Sequence, residues 1–362
     1  MGWADICTWS TKRLSRVEAT PSLSRRRAVR RTALAWASGL LLGFALACQA
    51  TIWLEPAPPE LAVVEQLALQ LSACAVLSAM LALLLRRWLR LAASLALAAT
   101  LAAPTVNQAI DAGGAPGLSG ATTLKVLSVN LWHIAPRRAA TVAALIDSGA
   151  DVIGLVEMTA EWRRSLQPVI DRYPYRVDCF AQEPDCETML LSNWPIERPI
   201  AGRIWKSNPI VAGGDILWQD RRLTILVTHL TRPLVRKEES RWYDAAAADP
   251  ADYLEASVPF NRQATQAGRL ARFLNGQAPD LVLLGDMNAV PWSRVQRAFR
   301  ARTGLDNRAG WAATWPAQLP WPLRLPLDHV LARGRAVVSG FAAGTRIDSD
   351  HLPVLAEIGW RE

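Results

Sequence analysis

What the chain has little of narrows the reading first. Five cysteines in 362 residues are too few for a disulfide scaffold, and none stands in a CxxC or Cys/His spacing suited to structural zinc. No Gly-x-Ser-x-Gly elbow, phosphate-binding P-loop or dinucleotide fingerprint is present, which argues against nucleophilic-serine, P-loop and Rossmann chemistry. No internal repeat is present either. A strong charge excess is missing from most of the chain. The formal charge is +8, but residues 1–115 carry 11 basic against 6 acidic side chains, leaving 29 against 26 for the rest. A near-neutral remainder weakens the case for a dedicated nucleic-acid binder. Histidine occurs only four times, so the position of each one carries information.

Charge is also missing locally. Thr32–Leu54 holds no charged residue over 23 positions, long enough to cross a bilayer, which takes about 20. A second apolar run, Leu61–Leu85, is broken only by Glu65. A third, Leu91–Ile110, is charge-free but Ala-rich and contains Pro104. The basic clusters at 25–31 and 86–90 fall on one side if the first two runs form a helical hairpin, and the positive-inside rule makes that side cytoplasmic. The expected order is a basic cytoplasmic tail (1–31), a membrane region (32–110, helices near 32–54, 61–85 and 91–110), a Gly/Ala/Pro/Ser linker (111–121) and a soluble domain (122–362). A third span carries the soluble domain to the periplasmic or outer side; two spans leave it in the cytoplasm. Length favours the third, hence a multi-pass inner- or plasma-membrane protein with an extracytoplasmic domain.

From residue 122 onward strands and helices alternate. Short apolar runs predict strands at 124–129, 152–156, 173–180, 188–192, 210–217, 223–228, 281–284, 327–331, 337–341 and 354–358, with helices at 139–148, 159–170 and 260–274. That mixture predicts an α/β domain rather than a simple βαβ series. Cys179 and Cys186 lie seven apart in a polar stretch; the spacing leaves a disulfide and two free thiols both open.

One grammar repeats through this domain: an apolar strand, then a polar residue at its end. It yields Asn130, Glu157, His229, Asp286 with Asn288, Asp328 with His329, and Ser349, Asp350 and His351. Three of the four histidines obey it, and His133 stands three residues past Asn130. Each residue alone has a structural explanation, since Gly-Asp-x-Asn favours turns and Glu157 suits a helix start. Together they form a set of acids, amides and imidazoles. Carboxylate and amide oxygens suit Mg²⁺ or Mn²⁺, and imidazole suits proton transfer near neutrality. Asp286 and Asn288, two apart on an extended chain, are expected on one side of it at the C-terminal edge of a sheet.

In order and spacing, SVNLWH, GLVEMT, VTHL, GDMNAVP, LDHVL and SDHLPV resemble the endonuclease/exonuclease/phosphatase superfamily over about residues 122–360. The resemblance implies a four-layer sandwich of two mixed sheets packed face to face with helices outside, and metal-dependent hydrolysis of a phosphate ester. It implies Glu157 as the principal Mg²⁺ (or Mn²⁺) ligand, with Asn130 and Asp350 near the metal, and Asp286 orienting the attacking water. It further implies Asn288 and His229 on the phosphate oxygens, and His351 as base or stabiliser held by Asp328. His329 departs from the pattern, standing where many members carry an aromatic residue; it is a substrate contact or fills that space, and the second reading is favoured. Arg262 is a candidate contact for an anionic substrate, with a solvated helix face as its alternative. The substrate is left among nucleic acid, phospholipid and small phosphate ester, and no protein partner is predicted. Proximity to a membrane favours a lipid or small ester, with selectivity expected from the Trp- and Pro-rich segment 311–326. A catalytically silent anchored binding protein is the alternative; no expected site position is missing.

Overall fold

The computed structural model describes residues 23–53, 62–112, 122–180, 183, 186–204, 210–233 and 261–361. The expected linker beyond residue 112 and the tail before residue 23 lie outside them. Four helices come first: α1 (Leu23–Trp53), α2 (Ala62–Gln66), α3 (Ala68–Leu84) and α4 (Trp88–Ala112). α1 contains a 28-residue stretch, Arg25–Ile52, long and apolar enough to cross a membrane, whereas the apolar parts of α3 and α4, Ala68–Leu84 and Trp88–Ala103, are shorter. Small residues pack inward, among them Ala45, Ala75, Ala79, Ala82 and Ala98, while Trp36, Phe44, Met80, Leu84 and Leu89 face outward. Leu71, Leu97 and Leu101 are buried between the helices as well. Ser78 ties the helices together: its hydroxyl donates to Ser38 O at 2.9 Å and lies 2.9 Å from Ser94 Oγ.

The remaining chain builds two mixed sheets. The first contains β1 (Leu124–Asn130), β2 (Val152–Val156), β3 (Tyr175–Asp178), β4 (Met189–Ser192), β10 (Ala336–Ala343) and β11 (Val354–Trp360), in the order β10-β11-β1-β2-β4-β3. The second contains β5 (Ile196–Arg203), β6 (Ile210–Trp218), β7 (Arg221–His229), β8 (Leu281–Asp286) and β9 (Asp328–Arg333), in that order. One parallel pair lies within each sheet, β1 with β2 and β7 with β8. Val126, Val152 and Leu190 from one sheet and Val227, Leu284 and Val330 from the other share a buried core. A Cβ on Gly154 would lie 2.8 Å from Val227 Cγ2, so glycine lets the sheets approach there. α5 (Ala139–Asp147), α6 (Ala160–Ser165) and α7 (Gln167–Ile170) cover the outer face of the first sheet, and α8 (Asn261–Asn275) and α9 (Arg294–Thr303) that of the second. This is the four-layer α/β sandwich the sequence implied.

Several expectations are corrected in detail. The helix expected over 159–170 is two pieces, with Thr159 Oγ1 accepting from Trp162 N at 3.2 Å at its start and Pro168 opening the second. β5 and α9 were not anticipated. β5 contains Pro199 and is mostly exposed, and α9 is dominated by arginine, so neither shows a clean apolar period. Cys179 and Cys186 are disulfide-bonded, with Cα atoms 5.6 Å apart.

Candidate active site

The parallel pairs explain why the site residues meet. β1, β2, β7 and β8 end on one edge, so Asn130 and His229 close their strands and Glu157 follows the last residue of its own. In the second sheet His229 pairs with Asp286, and Asp286 with Asp328. Gly285 makes the end of β8 possible: it has φ +133°, and a Cβ there would strike Thr228 O at 1.9 Å. Asn288 is not on the same extended face as Asp286. It adopts φ +47°, and its N–H donates to Asp286 Oδ1 at 2.7 Å, so a turn rather than strand alternation brings the two side by side. Glu157 and Trp132 also hold positive φ, at +58° and +56°. Backbone strain of this kind concentrates at functional sites.

The cluster is buried and cross-linked. Asn130 Nδ2 donates to Glu157 Oε1 at 3.0 Å and to Asp286 Oδ2 at 3.1 Å, while its Oδ1 accepts Trp132 N–H. Asn130 therefore bridges two carboxylates with its NH₂. Glu157 Oε2 takes His133 N at 3.0 Å and lies 2.7 Å from His133 Nδ1. His351 Nδ1 lies 2.8 Å from Asp328 Oδ2, which also accepts Thr314 Oγ1 at 2.6 Å. Ser349 Oγ donates to Asn130 O and accepts His351 N–H, locking the SDH segment onto β1. Asp286 Oδ2 stands 3.7 Å from Nε2 of both His229 and His351. Asp350 Oδ2 accepts Trp315 Nε1–H at 3.0 Å.

Charge tunes each group. Burial opposes protonation of His351, but Asp328 and Asp286 outweigh it and lift the imidazole to about 10. Burial likewise opposes His229, and Glu187 with Asp286 and Glu157 raises it to about 9. Asp286 is pushed up to about 6, by burial first and by the neighbouring Asp328 charge, against the pull of both histidines. Burial also acts to raise Glu157, yet the His133 hydrogen bond and the charges of His229 and Arg232 hold it well below the carboxylate range. Burial raises Asp350.

The donor set fits a hard divalent cation. Glu157, His229 and Asp286 bring ligand atoms within 4.8 Å of one another, and so do Asp286, Asp328 and His351. Asp350 Oδ1 and Asp328 Oδ1 are buried with no hydrogen-bond partner among the described residues, an arrangement that costs about 1–3 kcal/mol per group unless a cation or ligand compensates it. Asn288 Nδ2 donates to Leu230 O at 2.8 Å and lies 3.1 Å from His229 Nε2. Leu230 O fixes that orientation of the amide, and the second N–H suits a bare Nε2.

Two predicted positions stand apart from this cluster. His329 is buried with Nε2 2.8 Å from Ala289 O, and burial drives it down to about 4, so it is a neutral packing residue. Arg262 is exposed on α8 and has no hydrogen bond or ion pair with the cluster among the described residues. Three participants escaped the sequence reading. Glu187 lies 2.9 Å from His229 Nδ1, Arg232 lies 3.9 Å from Glu157, and Thr314 reaches Asp328. Glu187, just before β4, carried a weak signal as a polar residue at a strand start; Thr314 carried none.

Comparison with known proteins agrees with this architecture. The model of the Endonuclease/Exonuclease/phosphatase family matches residues 127–351. No curated protein matches the sequence. Among solved structures, an endonuclease/exonuclease/phosphatase from Bacteroides vulgatus is similar with 12% identity and TM-score 0.50, over 67% of this chain and 100% of that one. Sphingomyelinase C from Streptomyces griseocarneus is similar with 20% identity and TM-score 0.43, over 66% of this chain and 99% of that one. Beta toxin from Staphylococcus aureus, with bound magnesium ions, shows 16% identity and TM-score 0.46, over 67% and 100%.

Proposed function

Because the chain belongs to the endonuclease/exonuclease/phosphatase family, we propose that it is a membrane-anchored, divalent-metal-dependent hydrolase of phosphate esters, in which water attacks in line at phosphorus. The observation that carries this reading is Asp286 Oδ2 set 3.7 Å from the Nε2 atoms of two imidazoles, each held through Nδ1 by a carboxylate. Burial and the neighbouring Asp328 charge raise the Asp286 carboxyl, the direction that suits a base near neutral pH. Asp286 orients the attacking water and takes its proton as the water oxygen bonds to phosphorus; the ester P–O bond opposite breaks, and the leaving oxygen takes a proton from solvent. His351, held by Asp328, and His229, held by Glu187, present Nε2 to the phosphate oxygens as the charge on them shifts. Asn288 supports His229 and the phosphate. Mg²⁺ or Mn²⁺, held by Glu157 with Asp350 alongside and Asn130 steering Glu157, supplies neutralisation of the anionic phosphate when bound.

The membrane reading rests on the helices. Arg25, Arg26, Arg27, Arg30 and Arg31 start α1, Arg86 and Arg87 precede α4 and Arg90 lies in its first turn; Arg90 Nη1 donates to Ala35 O at 2.5 Å, which places both basic clusters at one end of the bundle. The other end meets the sandwich. Three spans with the basic end in the cytoplasm put the catalytic domain outside, where a Cys179–Cys186 disulfide persists.

The test of the chemistry is nitrophenol release from bis-p-nitrophenyl phosphate by the full chain with Mg²⁺ or Mn²⁺, repeated with chelator and with Asp286→Asn. Loss of at least about 10²-fold in both arms is expected; a rate indifferent to chelator removes the metal mechanism. For topology, an alkaline-phosphatase fusion after residue 115 is expected to be active, and an inactive fusion places the domain in the cytoplasm.

A further inference from the structure

The segment between α9 and β9 joins the catalytic pocket to the membrane bundle. Residues 309–323, AGWAATWPAQLPWPL, contain no charge, and Arg308 and Arg324 flank them. At one end Thr314 and Trp315 hold Asp328 and Asp350, and Ala317 N–H donates to Asp350 O at 2.7 Å. At the other, Trp321–Leu323 forms a short 3-10 turn. Its side chains project outward: Leu319 is 40% exposed, Trp321 59% and Leu323 51%. The turn is braced, since Arg324 donates to Leu319 O at 2.6 Å and to Ala317 O at 3.1 Å. It is also hooked to the bundle. Gln70, in the first turn of α3, donates to Pro322 O at 3.2 Å, and Ala68 packs with Leu325 and Leu327.

We propose that Leu319, Trp321 and Leu323 form a bilayer-contact surface that continues the outward apolar surface of the helices and holds the carboxylate pocket beside phosphoesters at headgroup level. Two observations commit the surface to lipid. It abuts the end of a bundle whose exterior is apolar, as Leu67, Val76, Leu77 and Met80 on the α2–α3 segment show. Its composition, Trp and Leu without charge and Arg beside it, is that of side chains at a membrane–water boundary. Trp315, on Asp350, and Trp321, at the tip, are six residues apart, at most about 20 Å of chain and less in a turn. A substrate anchored in the same leaflet is therefore within reach of the pocket. This deepens the hydrolase reading and rests on it for the substrate half only.

The contact itself is tested without activity. The full chain, carrying a photo-crosslinking benzoylphenylalanine at position 321 or, in a parallel sample, at position 175, is reconstituted in vesicles of equal phosphatidylcholine and phosphatidylglycerol and irradiated. Lipid adducts are expected at 321 and not at Tyr175, exposed on the edge strand β3. Absence of lipid at 321, equal labelling at 175, or adducts to protein alone overturns the proposal. The substrate half uses one chromophore in two settings: soluble bis-p-nitrophenyl phosphate, and hexadecyl p-nitrophenyl phosphate embedded in the same vesicles. Replacing Leu319, Trp321 and Leu323 together by Ser is expected to lower the embedded-ester rate about tenfold and to leave the soluble rate within about twofold. Equal rates on the embedded ester, or a parallel fall on both, overturn it. A wild-type chain that cleaves neither ester overturns the hydrolase reading and the substrate half with it, while the crosslink still decides the contact.

Discussion

Glu65 interrupts the second apolar run, and the structure shows what it does there. Its side chain is buried and ion-paired with Arg294 Nε, its Oε2 accepts Arg294 N–H at 2.7 Å, and its carbonyl accepts Trp292 Nε1–H at 3.0 Å. Beside it Gln66 Oε1 accepts Val290 N–H at 2.8 Å. The loop that leaves Asp286 and Asn288 is thus suspended from the helical bundle. Glu65→Ala removes the carboxylate that Arg294 Nε and the Arg294 backbone N–H share, leaving the guanidinium, only a quarter exposed, its bond to Thr51 O. Breaking a fully buried pair costs about 3–5 kcal/mol, and the exposure of Arg294 brings the expected loss down to about 2–3 kcal/mol. Part of it falls on the position of the catalytic loop, and a displacement of about 1 Å near the chemistry costs on the order of 10²-fold in rate. The expected outcome on bis-p-nitrophenyl phosphate is therefore a fall in kcat of at least about tenfold with a small change in KM. Glu65→Gln, which keeps an acceptor for Arg294 N–H, recovers most of it. Denaturant unfolding followed by tryptophan fluorescence measures the stability loss. A Glu65→Ala chain with unchanged kcat and unchanged unfolding midpoint refutes the coupling between bundle and site.

Other perturbations report on the interior. His329 is neutral in the folded protein down to about 4, whereas the unfolded chain takes up a proton near 6.5. Below pH 6.5 the unfolded state binds more protons, so folding stability falls as pH drops from 6.5 towards 4, by up to about 3 kcal/mol from this residue. His329→Phe is expected to flatten that acid limb while costing about 1 kcal/mol at pH 7 for the lost bond to Ala289 O; denaturation curves at pH 7 and pH 4.5 check it, and identical slopes in both proteins disprove it. Gly154→Ala forces a methyl group against Val227 and Leu284 between the sheets and is expected to cost about 1–3 kcal/mol by chemical denaturation. No change there means the sheets separate more freely than their packing indicates.

Much of this protein is written locally. Charge-free runs of bilayer length, the basic clusters around them, and the polar residues that end apolar strands depend only on near neighbours in the chain, and each was legible before any coordinates. Local order also marked Asn130, Glu157, His229, Asp286, Asp328 and His351, because a strand that stops at a sheet edge places its last side chain there. Tertiary structure decided what those residues become. That Asn130 faces the carboxylates with its NH₂, that Glu187 holds His229, and that Thr314 holds Asp328 depend on residues from separate elements meeting at one edge. β5 and α9 stayed hidden because an exposed edge strand and an arginine-rich helix gain little from apolar periodicity and are set by the sheet and helix they pack against. Glu65 is the sharpest case. In sequence it is a blemish in an apolar run; only the fold supplies Arg294, more than two hundred residues away, as the charge that compensates its burial.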